Sequence, residues 1–171
     1  MVPDLLVLAV EYHRAPLRYG HLADPSVALP DNFDSLVGAF GTALSPQRIE
    51  ATATALDAHP AELKAAARFF LRQVLLIPGA DHYRVLGVSR NAPEEVIRRH
   101  YQLLVGFFHP DRSDADPQRD ALYTARLNDA YNNLRDARSR QRYDRRTMNG
   151  RPADRARTLR NAQQCVPHDR R

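Results

Sequence analysis

The residue types that could do chemistry lie closest together in the tripeptide His109-Pro110-Asp111. An imidazole oriented by a carboxylate is a pairing used in general acid–base catalysis, and His100 lies close enough in sequence to join them. However, no candidate nucleophile, phosphate-cradling glycine loop or paired carboxylate occurs in a matching context, and Pro110 directs the flanking side chains apart. The sequence therefore predicts that the chain is not an enzyme.

Metal-binding patterns are also missing from the sequence. The 7 histidines show no HExxH spacing, and Cys165, the 1 cysteine, has no CxxC partner. One cysteine cannot form an intrachain disulfide. We therefore expect no metal, no cofactor and a reducing, cytoplasmic compartment.

Composition and charge narrow the class of protein further. With 43% hydrophobic and 26% charged residues the chain is typical of globular proteins. The early apolar run ends at Glu11, far short of the roughly 20 residues that span a bilayer, so we expect no membrane span. Residues 1–80 carry 6 basic and 8 acidic groups, whereas residues 81–171 carry 19 and 12, a net +7. This basic second half predicts an acidic partner.

Two helices must position the tripeptide. Glu94 and Glu95 follow Pro93 at a helix start, and Pro110 disfavours helical geometry in the residue before it. The second helix begins at Pro117 after a short loop, which predicts an antiparallel hairpin followed by a basic helix over residues 138–145. The side chains predicted to form its core are Ile97, Tyr101, Leu104, Phe108, Tyr123, Leu127, Ala130, Tyr131 and Leu134.

The remaining chain divides into three predicted segments. Prolines and glycines interrupt residues 1–44, which predicts an irregular segment with one short helix over residues 31–40. Residues 45–80 form a helical extension with helices starting at Ser45-Pro46 and at Pro60, and residues 147–171 form a basic disordered tail. One predicted buried stripe follows the second helix of the extension: Leu63, Ala67, Phe70, Val74 and Ile77.

The second half of the chain, residues 81–146, resembles the J domain of DnaJ-type co-chaperones. A histidine-proline-aspartate tripeptide is weak evidence alone, but here it lies between two helices with matching flanks. The chain shows no Gly/Phe-rich linker and no cysteine-repeat module, so it resembles the class in which the J domain is attached to something specialised. The matching stretches are Asp81 to Val88, Ile97 with Tyr101, His109-Pro110-Asp111, Leu127 to Tyr131 with Leu134, and Arg140 with Tyr143-Asp144.

The resemblance implies a function and a site. It implies that the chain binds the ATPase domain and linker of a DnaK-type heat-shock chaperone and stimulates ATP hydrolysis there, with residues 1–80 available to contact a client protein. The implied binding residues are His109, Pro110, Asp111, Arg98, Arg99, Gln102, Arg112 and Asn128. Two departures stand out. The helix before the tripeptide carries fewer basic residues than is usual in the family. Thr124 occupies a position that is usually an aromatic core residue, and we expect Tyr123 or Tyr131 to compensate.

The main alternative is a basic helical module that binds nucleic acid. Arginines are closely spaced between residues 135 and 160, as in proteins that bind phosphate backbones. The third helix of the J-like region offers no set of base-reading residues, so the co-chaperone hypothesis is preferred. The prediction is an all-α protein, in which a helical N-terminal extension packs on a C-terminal J-domain helical hairpin bundle.

Overall fold

The structure, a computed structural model, describes residues 5–27, 29, 33, 37, 45–108 and 117–149. Within these ranges the chain forms seven α-helices and one 3-10 helix, and no strand. The predicted all-α class is confirmed. The helices are α1 (Leu5–Arg14), the 3-10 helix (Pro16–Ala23), α2 (Pro46–Ala55), α3 (Pro60–Leu75), α4 (His82–Val85), α5 (Glu94–Phe107), α6 (Pro117–Leu134) and α7 (Ala137–Asn149).

The N-terminal segment differs from its prediction. An irregular chain was expected, but residues 5–14 form α1 and residues 16–23 form the 3-10 helix. Helix α1 packs against α3, and the Tyr12 ring meets the Phe70 ring edge to face at 5.3 Å. Helix α1 is stabilised by this packing. Its sequence is too short to show a helical period, so the sequence alone did not predict it. Of the helix predicted over residues 31–40, only Phe33 and Val37 lie among the described residues, and both are helical and buried.

The two helices of the extension begin where their prolines predict. Helix α2 starts at Pro46, although the Ser45 side chain makes no capping hydrogen bond. Helix α3 starts at Pro60, where the Nδ1 atom of His59 accepts a hydrogen bond from the Ala61 amide at 3.2 Å. Every member of the predicted apolar stripe is buried, which confirms that this face packs against the rest of the protein.

The second half forms the predicted hairpin. The Asp81 carboxylate caps α4 by accepting a hydrogen bond from the Arg84 amide at 2.8 Å. Helices α5 and α6 run antiparallel, since Tyr101 stacks on Tyr131 whereas Phe108, further along α5, meets Tyr123 near the start of α6. Helix α7 completes the bundle and includes Thr147, so the predicted boundary there is wrong. Residues 150–171, the rest of the predicted tail, lie outside the described residues.

A single apolar cluster joins the two halves of the chain. Its buried members run from Leu6 in α1 to Leu134 in α6 without a break between the extension and the hairpin. Gly87, with φ of +62°, lies so close to the N-terminal segment that a Cβ atom there would come within 2.9 Å of the Val37 side chain. Among the described residues no helix is long and apolar enough to cross a membrane.

Candidate functional site

The tripeptide region itself lies outside the described residues. This applies to His109, Pro110, Asp111 and Arg112, whose predicted roles stay predictions. The structure instead describes the helix that leads into this segment, α5, and the helix that follows it, α6. The candidate site is therefore characterised by its two flanking helices and their exposed faces.

One face of α5 brings three predicted site residues together. Arg98, Arg99 and Gln102 are exposed, and with Glu95 and Val96 they line a shallow surface depression. They share a face because residues three or four positions apart are neighbours on a helix. Nothing in the described part of the chain pairs either arginine with a carboxylate within salt-bridge distance. The face therefore presents two guanidinium groups to solvent.

The opposite face of α5 is buried and fixes this orientation. Ile97, His100 and Leu104 are completely buried, so rotation of the helix would expose apolar surface. The Nδ1 atom of His100 lies 3.1 Å from the Leu86 carbonyl oxygen. His100 therefore belongs to the core contact between α4 and α5, which argues against a part for it in surface acid–base chemistry.

Asn128 on α6 is connected to α5 through a tyrosine. It is exposed, and its Oδ1 atom accepts a hydrogen bond from the Tyr101 hydroxyl at 2.9 Å. The Tyr101 ring is stacked on Tyr131, with centroids 4.1 Å apart and planes inclined by 9°. Both tyrosines were predicted to be core residues, but they are only half-buried. Their ring faces cover each other, and the Tyr101 hydroxyl reaches the exposed side of α6.

The end of α5 is held at two consecutive carbonyl groups. The Thr124 hydroxyl donates to the Phe108 carbonyl oxygen at 3.0 Å, and an Nη atom of Arg68 donates to that of Phe107, also at 3.0 Å. Phe108 is completely buried and meets the Tyr123 ring at 5.6 Å. Tyr123 thus supplies the aromatic contact expected to compensate for Thr124. The Arg68 contact was missed, since side chain to carbonyl bonds have no sequence period.

Helix α7 makes hydrogen bonds both with α4 and with the residues just before α5. The Tyr83 hydroxyl donates to both carboxylate oxygens of Asp144, at 2.9 and 3.0 Å. Burial, reinforced by this hydrogen bond to a carboxylate, raises the pKa of Tyr83 to about 12. Arg140 donates to the Ala92 carbonyl oxygen, two residues before α5 begins. Tyr83, Arg140 and Asp144 all belong to the predicted motif, and here they have structural roles.

A family model described as a DnaJ domain matches residues 81–144. This stretch is a J domain. The predicted resemblance is thereby confirmed, and α4 to α7 are the helices of the J domain, except that α7 runs on to Asn149.

Curated relatives match the same part of the chain. The J domain is similar to that of "Chaperone protein DnaJ" from Nitratidesulfovibrio vulgaris (strain DSM 19637 / Miyazaki F), with 45% identity over 65 residues, 38% of this chain and 17% of the relative. The protein of the same name from Oleidesulfovibrio alaskensis is 46% identical over 65 residues, with the same shares covered. That from Orientia tsutsugamushi (strain Boryong) is 42% identical over 64 residues, 37% of this chain and 17% of the relative. No solved structure matches the chain.

The similarity is therefore confined to the J domain. The chain spans about a sixth of the length of the curated relatives that it matches, and residues 1–80 lie outside the family match. Among the described residues no group of three or more metal-ligating side chains is close enough to hold an ion.

Proposed function

We propose that the chain is a co-chaperone that binds a DnaK-type chaperone and accelerates its ATP hydrolysis. The observation that carries the proposal is the exposed pair Arg98 and Arg99 on α5 of the J domain. This helix ends two residues before His109. At 1.5 Å per residue, Arg98 lies about 14 Å along the helix from Phe107. A single partner surface of ordinary size can reach both the arginines and the tripeptide.

Each proposed contact has a physical rationale. Exposed guanidinium groups on α5 attract an acidic surface and speed the encounter, which makes binding sensitive to salt. Pro110 restricts its own backbone and so lowers the entropy lost on binding. The Asp111 carboxylate can accept a bidentate contact from a partner arginine, and Arg112 and Asn128 are further proposed contacts.

In this proposal the chain supplies binding and no catalytic group. The reaction takes place at the nucleotide site of the partner, so neither His109 nor Asp111 transfers a proton to a substrate. We propose that the interaction takes place in the cytoplasm, as expected from the single cysteine, and that a client is contacted through residues 1–80. The described apolar side chains of this region lie mostly in the shared core.

Single-turnover ATP hydrolysis by a bacterial DnaK-type chaperone tests the proposal. The wild-type chain is compared with His109→Gln and Asp111→Asn, and the fold of each variant is checked by circular dichroism and thermal denaturation. We expect the wild type to accelerate hydrolysis and both folded variants to lose the effect. Acceleration that persists in both variants would contradict the proposal, as would its absence in the wild type.

Charge reversal on α5 tests the proposed contact surface. The double variant Arg98→Glu/Arg99→Glu should raise the concentration needed for half-maximal acceleration by about tenfold or more, since like charges then face each other. The matched control is Arg145→Glu/Arg146→Glu, an exposed pair on α7. If the control variant loses as much affinity as the α5 variant, the binding face has been wrongly placed.

A second candidate, binding of nucleic acid, is favoured by one feature of α7. Arg138, Arg142 and Arg145 follow a spacing of four and three residues, and all three are exposed. Such a row can follow a phosphate backbone, with affinity that falls steeply as salt rises. Fluorescence anisotropy with a labelled DNA duplex at two salt concentrations tests this candidate. Arg145→Glu/Arg146→Glu, the control above, should weaken this binding and leave chaperone stimulation intact.

A further inference from the structure

We infer that Arg68 in α3 is a positioning residue for the chaperone-binding tripeptide. Its side chain connects the two helices between which the tripeptide lies, α5 and α6. One Nη atom forms an ion pair with Asp120, the fourth residue of α6, and the other donates to the carbonyl oxygen of Phe107, the last residue of α5, at 3.0 Å. Arg68 lies outside residues 81–144, so the extension takes part in forming the site.

The connection is largely shielded from water. The side chains of Arg68 and Asp120 are only 18% and 3% exposed. The guanidinium also lies over the rings of Phe107 and Phe108, 5.1 and 5.6 Å from their centroids. Charged hydrogen bonds are strong in such surroundings, and removal of one partner leaves the other buried and unpaired.

The fork shape of the arginine makes this connection possible. A guanidinium directs several N–H groups in fixed directions, so one side chain can hold a carboxylate and a carbonyl oxygen simultaneously. Lysine would keep the charge opposite Asp120 without this fixed fork. Arg68→Lys should therefore preserve part of the effect, whereas Arg68→Ala should remove it.

The consequence for binding follows from the chain connectivity. Only nine residues, 108–116, separate the end of α5 from the start of α6. Holding both ends in one geometry reduces the conformations open to the segment, and so reduces the entropy lost when a partner binds it. The expected effect on chaperone stimulation rests on the proposed co-chaperone function. The effect of Arg68 on the geometry of the segment does not depend on that function.

Arg72 provides a matched control on the same helix. It lies one turn after Arg68, is also half-buried, and contacts α6 with its guanidinium 5.8 Å from the Tyr123 ring centroid. Arg72→Ala thus removes a similar side chain and a similar contact between the extension and α6. It leaves the contacts with Phe107 and Asp120 in place.

The experiment combines a structural and a functional measurement on the full chain. The amide resonances of His109 and Asp111 are recorded by NMR for the wild type, Arg68→Ala, Arg68→Lys and Arg72→Ala, with thermal denaturation as the measure of overall stability. We expect both resonances to move in Arg68→Ala, to move less in Arg68→Lys and to stay in place in Arg72→Ala. Maximal acceleration of chaperone ATP hydrolysis should fall about 2- to 30-fold in Arg68→Ala.

Several outcomes would overturn the inference. Unmoved resonances in Arg68→Ala would do so, as would equal shifts in Arg72→Ala or shifted resonances with unchanged acceleration. If Arg68→Ala does not fold, Arg68→Lys decides by the same criteria. If the wild type itself gives no acceleration, the co-chaperone proposal fails, while the resonances still decide whether Arg68 positions the segment.

Discussion

The Nε atom of Arg84 donates a hydrogen bond to the carbonyl oxygen of Val74 at 2.8 Å, so a guanidinium from the first J-domain helix holds the last turn of α3. The other donors of the same side chain reach the carbonyl oxygens of Val27, at 2.6 Å, and Leu22. Arg126 on α6 likewise donates to the carbonyl oxygens of Leu76 and Ile77, the latter at 3.0 Å. The J domain is thus joined to both preceding segments, residues 1–44 and the extension, by arginines that bond to backbone carbonyls.

Replacement of Arg84 should be strongly destabilising. The residue is only 6% exposed, and Arg84→Ala would leave three carbonyl groups without their donor. We expect the free energy of unfolding to fall by about 2–4 kcal/mol in urea denaturation. The control is Arg90→Ala, because Arg90 is an exposed partner of Asp81 and its loss should cost less than about 1 kcal/mol. Equal losses in the two variants would contradict the role assigned to Arg84.

Two glycine-to-alanine substitutions in the J domain should change stability in opposite directions. Gly87 has φ of +62°, and a Cβ atom would meet the Val37 side chain at 2.9 Å, so Gly87→Ala should cost about 1–3 kcal/mol. Gly106 lies within α5 and has no atom within 4 Å of an added Cβ. Gly106→Ala should therefore stabilise the protein by about 0.5–1 kcal/mol. Thermal denaturation of both variants checks the signs, and a stabilising Gly87→Ala would contradict the close approach described here.

A chain shortened to residues 81–171 should melt at a lower temperature than the full chain. The cut removes the carbonyl partners of Arg84 and Arg126 and exposes J-domain apolar side chains that the extension covers. A loss of 1 kcal/mol corresponds to about 2–8 °C in domains of this size range, so we expect a fall of several degrees at least. Calorimetry on both chains measures it. Equal melting temperatures would show that the extension does not stabilise the J domain.

Acid should destabilise the protein partly through His82. Burial lowers the pKa of His82, against the opposite influence of Asp129, whose carboxylate lies 3.7 Å from the Nε2 atom. The unfolded chain, with a histidine pKa of about 6.5, therefore binds more protons than the folded protein as the pH falls. The contribution to the free energy of unfolding is complete above about pH 6.5 and is lost as the pH falls through the folded-state pKa.

The variant His82→Phe isolates this effect. It retains a ring to stack on Tyr143, where the centroids are now 4.4 Å apart, but it cannot bind a proton. Urea denaturation above and below neutrality should show a smaller loss of stability in acid for the variant than for the wild type. An identical pH dependence in the two proteins would assign the acid sensitivity to other groups.

Sequence reasoning was most successful where a local signal decided the outcome. Prolines at first-turn positions predicted the starts of α2, α3 and α6, because a fixed φ and a missing N–H suit that position. The repeating apolar face of α5 correctly predicted that Arg98 and Arg99 lie on its exposed side. It failed at α1, where ten residues are too few to show a helical period and the packing against α3 decides the conformation.

The sequence by itself determined the all-α class, the starts of several helices and the presence of a J domain, because these depend on periodicity, proline positions and motif order along the chain. Only the tertiary structure decided that Arg68, Arg84 and Arg126 join the extension to the J domain. Apart from the Asp120 carboxylate, their partners are backbone carbonyl groups 10 to 62 residues away, and every residue type carries such a carbonyl. A contact of this kind leaves no pattern in the order of side chains, so folding alone reveals it.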